Sequence, residues 1–314
     1  MVRFVGSRVL QAAGVLVLVS LIAFSLLKVA PGDPAQRIAA ERGGEIVSSR
    51  EVEAVRGELG LDRPIWEQYA AWLSDTLRLN LGTSYVSREP VAKLIRERFP
   101  ASFALAAATV AISTALGVPL GVLAAARRGP LDTAVRTLSL ILASMPSFWL
   151  SLLAIWLFAA ELRWLPAIAD FSPRGLILPV AVLALRTMAL LIRVTRATVI
   201  ETLAMPHVMV ARGRGLPERL VVVRHAVRNA LVPVITVIGL DFATLLAGAA
   251  VVEWVFAYPG VGRLGVQAAL NGDVPVVLGF VLLASVALVV VNTVVDILCG
   301  LLDPTIRPAR TVTA

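Results

Sequence analysis

Val210-Ala-Arg-Gly-Arg-Gly-Leu-Pro-Glu-Arg-Leu-Val-Val-Val-Arg-His-Ala-Val-Arg-Asn-Ala-Leu-Val-Pro233 is a basic stretch set between two apolar runs. Its punctuation predicts structure inside the loop. Gly215 suits the stop of one short helix and Pro217 the opening of the next. Two short helices projecting from a membrane domain would form a surface built to be gripped from outside the bilayer.

The rest of the chain supports a membrane setting. Of 314 residues, 58% are hydrophobic and 16% charged, and the mean hydropathy is +0.84. Soluble domains carry about 25% charged residues. The net charge of +8 does not indicate nucleic acid, because no basic stripe is interleaved with aromatics. Cys299, the one cysteine, lies in an apolar run and reads as a packed hydrophobe.

Six windows are long and apolar enough to span: Val9–Lys28, Phe99–Ala126, Thr137–Ala160, Leu176–Ile192, Leu231–Trp254 and Val274–Leu302. The first reads as a retained helix, since Leu27-Lys-Val-Ala-Pro31 is a poor cleavage site. Arginine asymmetry orients the set with both termini in the cytoplasm. Arg3, Arg8, Arg127, Arg128, Arg136, Arg193, Arg196, Arg212, Arg214, Arg219, Arg224, Arg228, Arg307 and Arg310 then fall inside. The fold class is all-α, with six transmembrane helices. Its divisions are a first helix over 1–29, an extracytoplasmic segment over 30–98 and a five-helix core over 99–307, with the basic loop at 201–230.

The outer segment carries its own helix signals. Ser48-Ser-Arg-Glu51 fits a capping box, Gly60 a stop, and Pro64 the start of a helix bearing Ile65, Tyr69, Trp72 and Leu77. Trp66, Tyr69 and Trp72 suit headgroup depth. Packing on the spans and a platform for a soluble partner are both open readings.

No chemistry of its own is legible. The two lysines, Lys28 and Lys93, do not follow glycine, so there is no Gly-Lys-Ser/Thr loop to hold ATP phosphates. His207 and His225 both lie in the basic loop. No metal-ligand spacing and no Gly-x-Ser-x-Gly elbow occurs. No cofactor and no enzymatic activity are expected. Arg186, Asp241 and Asp296 fall within apolar windows. Each costs roughly 2.5–3.5 kcal/mol at a helix centre, so each should face protein or water. They read as pathway-lining or packing residues, and opposite charge at similar depth suggests that Arg186 pairs with Asp241. Gly117-Val-Pro-Leu-Gly121 predicts a close helix approach.

Taken together, these residues resemble the permease subunits of ATP-binding-cassette importers of the peptide/nickel type, along nearly the whole chain. The loop is similar to that family's EAA loop at Ala211, Gly215, Arg224, His225, Arg228, Asn229, Ala230, Leu231 and Pro233. Other matching runs are Pro31-Gly-Asp-Pro34, Leu81-Gly-Thr-Ser-Tyr85, Ser144-Met-Pro-Ser-Phe-Trp149, Glu253-Trp-Val-Phe-Ala-Tyr-Pro-Gly-Val-Gly262 and Asp303-Pro-Thr-Ile-Arg307. The loop departs from the family pattern at Pro217, where a serine is usual, and at Gly213, placed in a helix interior where it costs about 1 kcal/mol relative to alanine.

The resemblance implies a type I importer permease in a bacterial inner membrane. It implies a second homologous permease subunit, two ABC ATPase subunits below, an extracytoplasmic solute-binding protein above, and a solute that is a di- or oligopeptide or a nickel or metal chelate. The 208–228 loop would couple to the ATPase. Val208, Ala211 and Leu216 would supply apolar contact, and Arg212, Arg214, Arg219 and Arg224 charge, with Gly215 setting the turn. A standalone six-span secondary transporter is the alternative.

Overall fold

The computed structural model describes residues 2–29, 35–36, 39, 48–58, 60–127 and 129–302. Pro31-Gly-Asp-Pro34, Asp303-Pro-Thr-Ile-Arg307, Arg128 and Arg310 lie outside the described residues. Among those described, five helices are long and apolar enough to cross a membrane, and six if a bent helix pair is counted as one span. The first span is Val2–Val29 and the second Val91–Ala126. The fourth is Pro173–Leu203, the fifth Arg228–Gly248 and the sixth Val274–Leu302. The fold is an all-α, multi-span membrane fold.

The third crossing differs from the expected single helix over Thr137–Ala160. Pro130–Ser144 and Ser147–Glu161 meet at 97°. Met145 and Pro146 sit in extended backbone between them, at φ −81°, ψ 124° and φ −62°, ψ 135°. The cause is local: proline pushes the residue before it out of the helical region and has no N–H to continue the ladder. The expected fifth window also ran too far, because Trp254 belongs to a separate short helix, Ala250–Val255.

The second and fourth spans form the tightest pair. A Cβ on Gly121 would stand 2.8 Å from the Ile192 carbonyl oxygen and from Thr195 Cβ, and one on Gly117 3.1 Å from Leu191 Cβ. The glycines let two backbones touch, as the sequence predicts. At one end of the bundle the first and sixth spans are joined by Arg8 Nε to Asp296 Oδ2 at 3.2 Å. Cys299 is buried, 3.4 Å from Thr236 Oγ1.

The opposite end is locked by buried polar groups. Glu253 is 1% exposed. Its carboxylate accepts from Ser102 Oγ at 2.6 Å and from the Arg263 N–H at 2.9 Å, at the amino end of helix Val261–Leu270. Gly260 is obligatory there, since a Cβ would lie 2.3 Å from Glu253 Oε2. Tyr258 donates to the Ala101 carbonyl at 3.0 Å, and burial, reinforced by the charge of Glu253, pushes its phenol up to about 12. The Leu81–Tyr85 run is tied to the loop before the sixth span: Asp273 accepts from Ser84 Oγ at 2.5 Å and from the Tyr85 N–H at 3.1 Å.

The described helices between the first and second spans form as their signals predict. Helix Ser49–Glu58 opens on the reciprocal Ser48/Glu51 box, with the Ser48 N–H donating to Glu51 Oε2 at 2.8 Å. Pro64 precedes helix Ile65–Leu77. Tyr69 and Trp72 pack on Phe24 of the first span, and Tyr69 shares a 2.7 Å hydrogen bond with Ser20. Trp66 stays exposed.

Candidate functional site

The basic loop begins where the fourth span ends. Helix Pro206–Gly213 follows, with Pro206 in its first turn. It stops as its residues dictate. The Arg214 N–H donates to the Val210 carbonyl at 3.1 Å, and Gly215, at φ 76°, turns the chain in the left-handed region that glycine accepts freely. Gly213 is the last residue of this helix, so its helix cost falls at an end rather than in an interior. Pro217, at φ −64° and ψ 139°, then stands just before Glu218. From Glu218 the helix runs on through a π-helical stretch, Val221–Val227, straight into the fifth span. The expected second short helix is therefore the foot of a span, because nothing between Glu218 and Arg228 breaks the backbone ladder.

The inward side of the loop is apolar and closed. Val208 is 0% exposed and Ala211 5%. They pack with Ala125 of the second span, Val199 and Leu203 of the fourth, and Val221, Val222, Ala226 and Ala230 leading into the fifth, with Leu216 half-buried beside them. Val208 and Ala211, expected to contact a partner, instead key the short helix to the bases of three spans. The outward apolar side chains are ones the sequence reading did not single out: Met209 is 61% exposed and Val210 56%. Spacing could have shown this, since 208 and 211 share one face of a helix and 209 and 210 another.

The arginines also divide. Arg212 Nη2 donates to Glu218 Oε1 at 2.6 Å and Nε to Oε2 at 3.1 Å, while Nη1 reaches the Leu203 carbonyl at 3.4 Å. Arg212 thus clamps the turn across Gly215. Arg214, Arg219 and Arg224 are exposed. His207 Nε2 lies 3.2 Å from Asn229 Nδ2, a second tie between the short helix and the fifth span.

The three charges within spans are resolved separately. Asp296 pairs with Arg8. Asp241 does not pair with Arg186: its Oδ2 accepts from Thr187 Oγ1 at 2.6 Å. Residues 186 and 187 are about 100° apart around the helix, so when Thr187 faces the fifth span Arg186 cannot. Arg186 is exposed on another face. Among the described residues, no group of three His, Cys, Asp or Glu side chains could hold a metal ion.

The architecture defines a polytopic α-helical membrane protein with a rigid, basic surface helix keyed to the base of its spans. Its sequence matches the model of the binding-protein-dependent transport system inner membrane component over residues 117–308, and the amino-terminal model of the same component over residues 1–106. The chain belongs to this family: it is a permease subunit of an ATP-binding-cassette importer, a non-catalytic membrane component of the inner membrane. It is 41% identical over 317 residues to a provisionally named peptide transport system permease protein of Brucella abortus (strain 2308), covering 98% of this chain and 99% of that one. It is 37% identical over 309 residues to the glutathione transport system permease protein of Escherichia coli (strain K12), with the same coverage. Among solved structures, a chain of the MetNI methionine ABC transporter in inward-facing conformations superposes with a TM-score of 0.57 at 19% identity, over 67% of this chain and 96% of that chain. That likeness concerns the fold.

Proposed function

We propose that this chain forms half of the pathway of a peptide importer, with a second homologous permease, two ATPase subunits at the end bearing helix Pro206–Gly213, and a solute-binding protein at the other. Both termini are cytoplasmic, and the chain divides into a first helix over 1–29, an outer segment over 30–98 and a five-helix core over 99–307. One observation carries the reading. Helix Pro206–Gly213 is fastened inward by Val208 and Ala211 while Met209 and Val210 point outward unsatisfied. A helix so keyed to three spans transmits a push on its outer face into the bundle as a rigid-body movement. Met209 and Val210 supply the apolar contact, with Arg214, Arg219 and Arg224 around it. Arg212 and Gly215 hold the turn.

The names of two relatives support a peptide solute: one is named for peptides and one for glutathione, itself a peptide. That favours a short peptide over a metal chelate. The test is native affinity purification of this chain from its own membrane, with mass spectrometry of what accompanies it. A second six-span protein and Walker-A ATPases are the expected companions. Recovery of the chain alone, in detergent that preserves other membrane complexes, would instead indicate a standalone transporter.

A further inference from the structure

The fourth span presents three different surroundings around its circumference. Met188, Leu191, Ile192 and Thr195 meet the glycine face of the second span. Arg196 is paired with Asp132 of helix Pro130–Ser144, its Nη2 2.6 Å from Oδ2. Thr187 bonds Asp241 on the fifth span. Between the Arg196 side and the Thr187 side lies a face that none of the described residues covers. Arg186, Arg193, Ala197 and Glu201 are exposed on it, and Leu190 is half-buried.

At about 100° per residue, Arg186 and Arg193 lie within about 20° of each other and about 10 Å apart along the helix axis. Toward the other end the same face is closed: Pro179, Val182 and Leu183 are buried, the last two in the main core with Leu246 and Val252. The face is therefore sealed in one half of the span and open in the half leading to the loop helix.

Both guanidiniums are unpaired: neither has a hydrogen bond or ion pair to any described residue. Acyl chains do not suit this face at Arg186, which lies within the fourth apolar window and would cost roughly 2.5–3.5 kcal/mol against lipid at a helix centre, while Arg193 stands at the cytoplasmic edge of that window. Two unpaired, always-charged forks on an open face call for anionic oxygen, and the fork geometry matches a carboxylate.

We infer that Arg186 and Arg193 are two successive resting points for the carboxylate of the passing solute in the half of the path that leads to the loop helix. The inference rests on the importer reading and deepens it by naming the group of the solute that the path holds, its free carboxylate, and the side chains that hold it. Arg186, beside the closed half, meets the carboxylate first. Arg193, about 10 Å on, takes it next. Two equivalent weak sites let an anion enter and leave, where a single tight site would hold it.

The test uses the complete importer in inside-out membrane vesicles, with Cys299→Ser removing the native thiol and Arg193→Cys supplying one. Two probes of opposite charge are compared, 2-sulfonatoethyl and 2-(trimethylammonio)ethyl methanethiosulfonate. With Arg186 intact, the sulfonate reagent is expected to react several-fold faster at position 193, and Arg186→Gln should abolish that preference. Failure of both charged reagents to react would mean the face is sealed by a partner chain, and equal rates for both would mean the path does not favour anions; either overturns the inference.

Uptake supplies a second readout. Arg186→Gln should cut alanyl-alanine uptake at least several-fold with ATPase recovery unchanged, and Arg186→Lys should restore part of it. Wild-type uptake by Arg186→Gln overturns the inference. Loss of the second permease from Arg186→Gln preparations does so too, by assigning the guanidinium to an intersubunit ion pair. Absence of ATPases from every preparation would sink the importer reading but leave the labelling result standing.

Discussion

Gly215 and Arg212 do different work in one turn, and substitutions separate them. Gly215 has open space where a Cβ would go, but its φ is +76°. Gly215→Val therefore costs backbone strain, about 1–2 kcal/mol, with no clash. A lowered melting temperature with unchanged membrane insertion is the expected result. The Arg212–Glu218 pair is bidentate, yet its side chains are 41% and 58% exposed. A double-mutant cycle in thermal unfolding should return only about 0.2–1 kcal/mol for it. Arg214 is exposed, so Arg214→Glu should leave the fold intact and weaken ATPase recovery about tenfold. Full recovery with Arg214→Glu would remove the charge from the docking account.

Asp170 gives a pH dependence with a definite sign. Its Oδ1 accepts from Ser172 Oγ at 2.5 Å and from the Ser172 N–H at 2.9 Å, and Ser172 Oγ in turn caps the fourth span at the Gly175 N–H, 3.0 Å away. Hydrogen bonds from the Ser172 hydroxyl and then its amide hold the Asp170 carboxyl below the usual range. The native state thus prefers the carboxylate. Its stabilisation is present above the unfolded pKa of about 3.9 and is lost as pH falls through the lower folded value. The melting temperature of Asp170→Asn should therefore differ from wild type near neutral pH and converge with it in acid.

At the scale of elements, what was legible in the sequence was local. The Ser48/Glu51 box, the stops at Gly60 and Gly215 and the starts after Pro64 and Pro217 depend on a few neighbouring residues, and all are seen in the structure. The glycines of the second span were legible too, although not their partners. Gly121→Val should be far worse than Gly14→Val, since a Cβ meets backbone at 2.8 Å at the first site and nothing within 4 Å at the second. A loss of about 1–3 kcal/mol, read as a lower melting temperature in Gly121→Val alone, is the expectation.

Errors arose where azimuth or a third partner decided the outcome. Depth and charge suggested an Arg186–Asp241 pair, but one residue of rotation gives the bond to Thr187. Val208 and Ala211 were read as partner contacts because a loop sequence does not display the spans beneath it; the structure buries both. The bend at Met145–Pro146 was hidden by an apolar window that counts proline as one more tolerated residue.

Successive spans among the described residues run in alternating directions, so the two ends of the bundle carry different material. Arg8 with Asp296, Arg196 with Asp132 and helix Pro206–Gly213 share one end. Helices Ser49–Glu58 and Ile65–Leu77, Glu253 and Asp273 share the other. The ends also differ in mechanical character. One is tied across the bundle by buried carboxylates, Glu253 to Ser102 and Asp273 to Ser84. The other is held by apolar contacts of the loop helix with three spans and by the ion pairs of Arg8 with Asp296 and Arg196 with Asp132; the apolar contacts of the loop helix itself can move as a body with the span ends. That asymmetry suits a bundle driven from the loop end, and it requires that end to lie in the cytoplasm with the ATPase. In intact cells carrying Cys299→Ser, Asp75→Cys on helix Ile65–Leu77 should react with an impermeant maleimide, while Arg214→Cys should react only after the membrane is opened. Both positions are exposed in the fold, so orientation alone decides the result. The reverse labelling pattern would put the loop outside, beyond the reach of any ATPase, and the drive would have to enter at the other end.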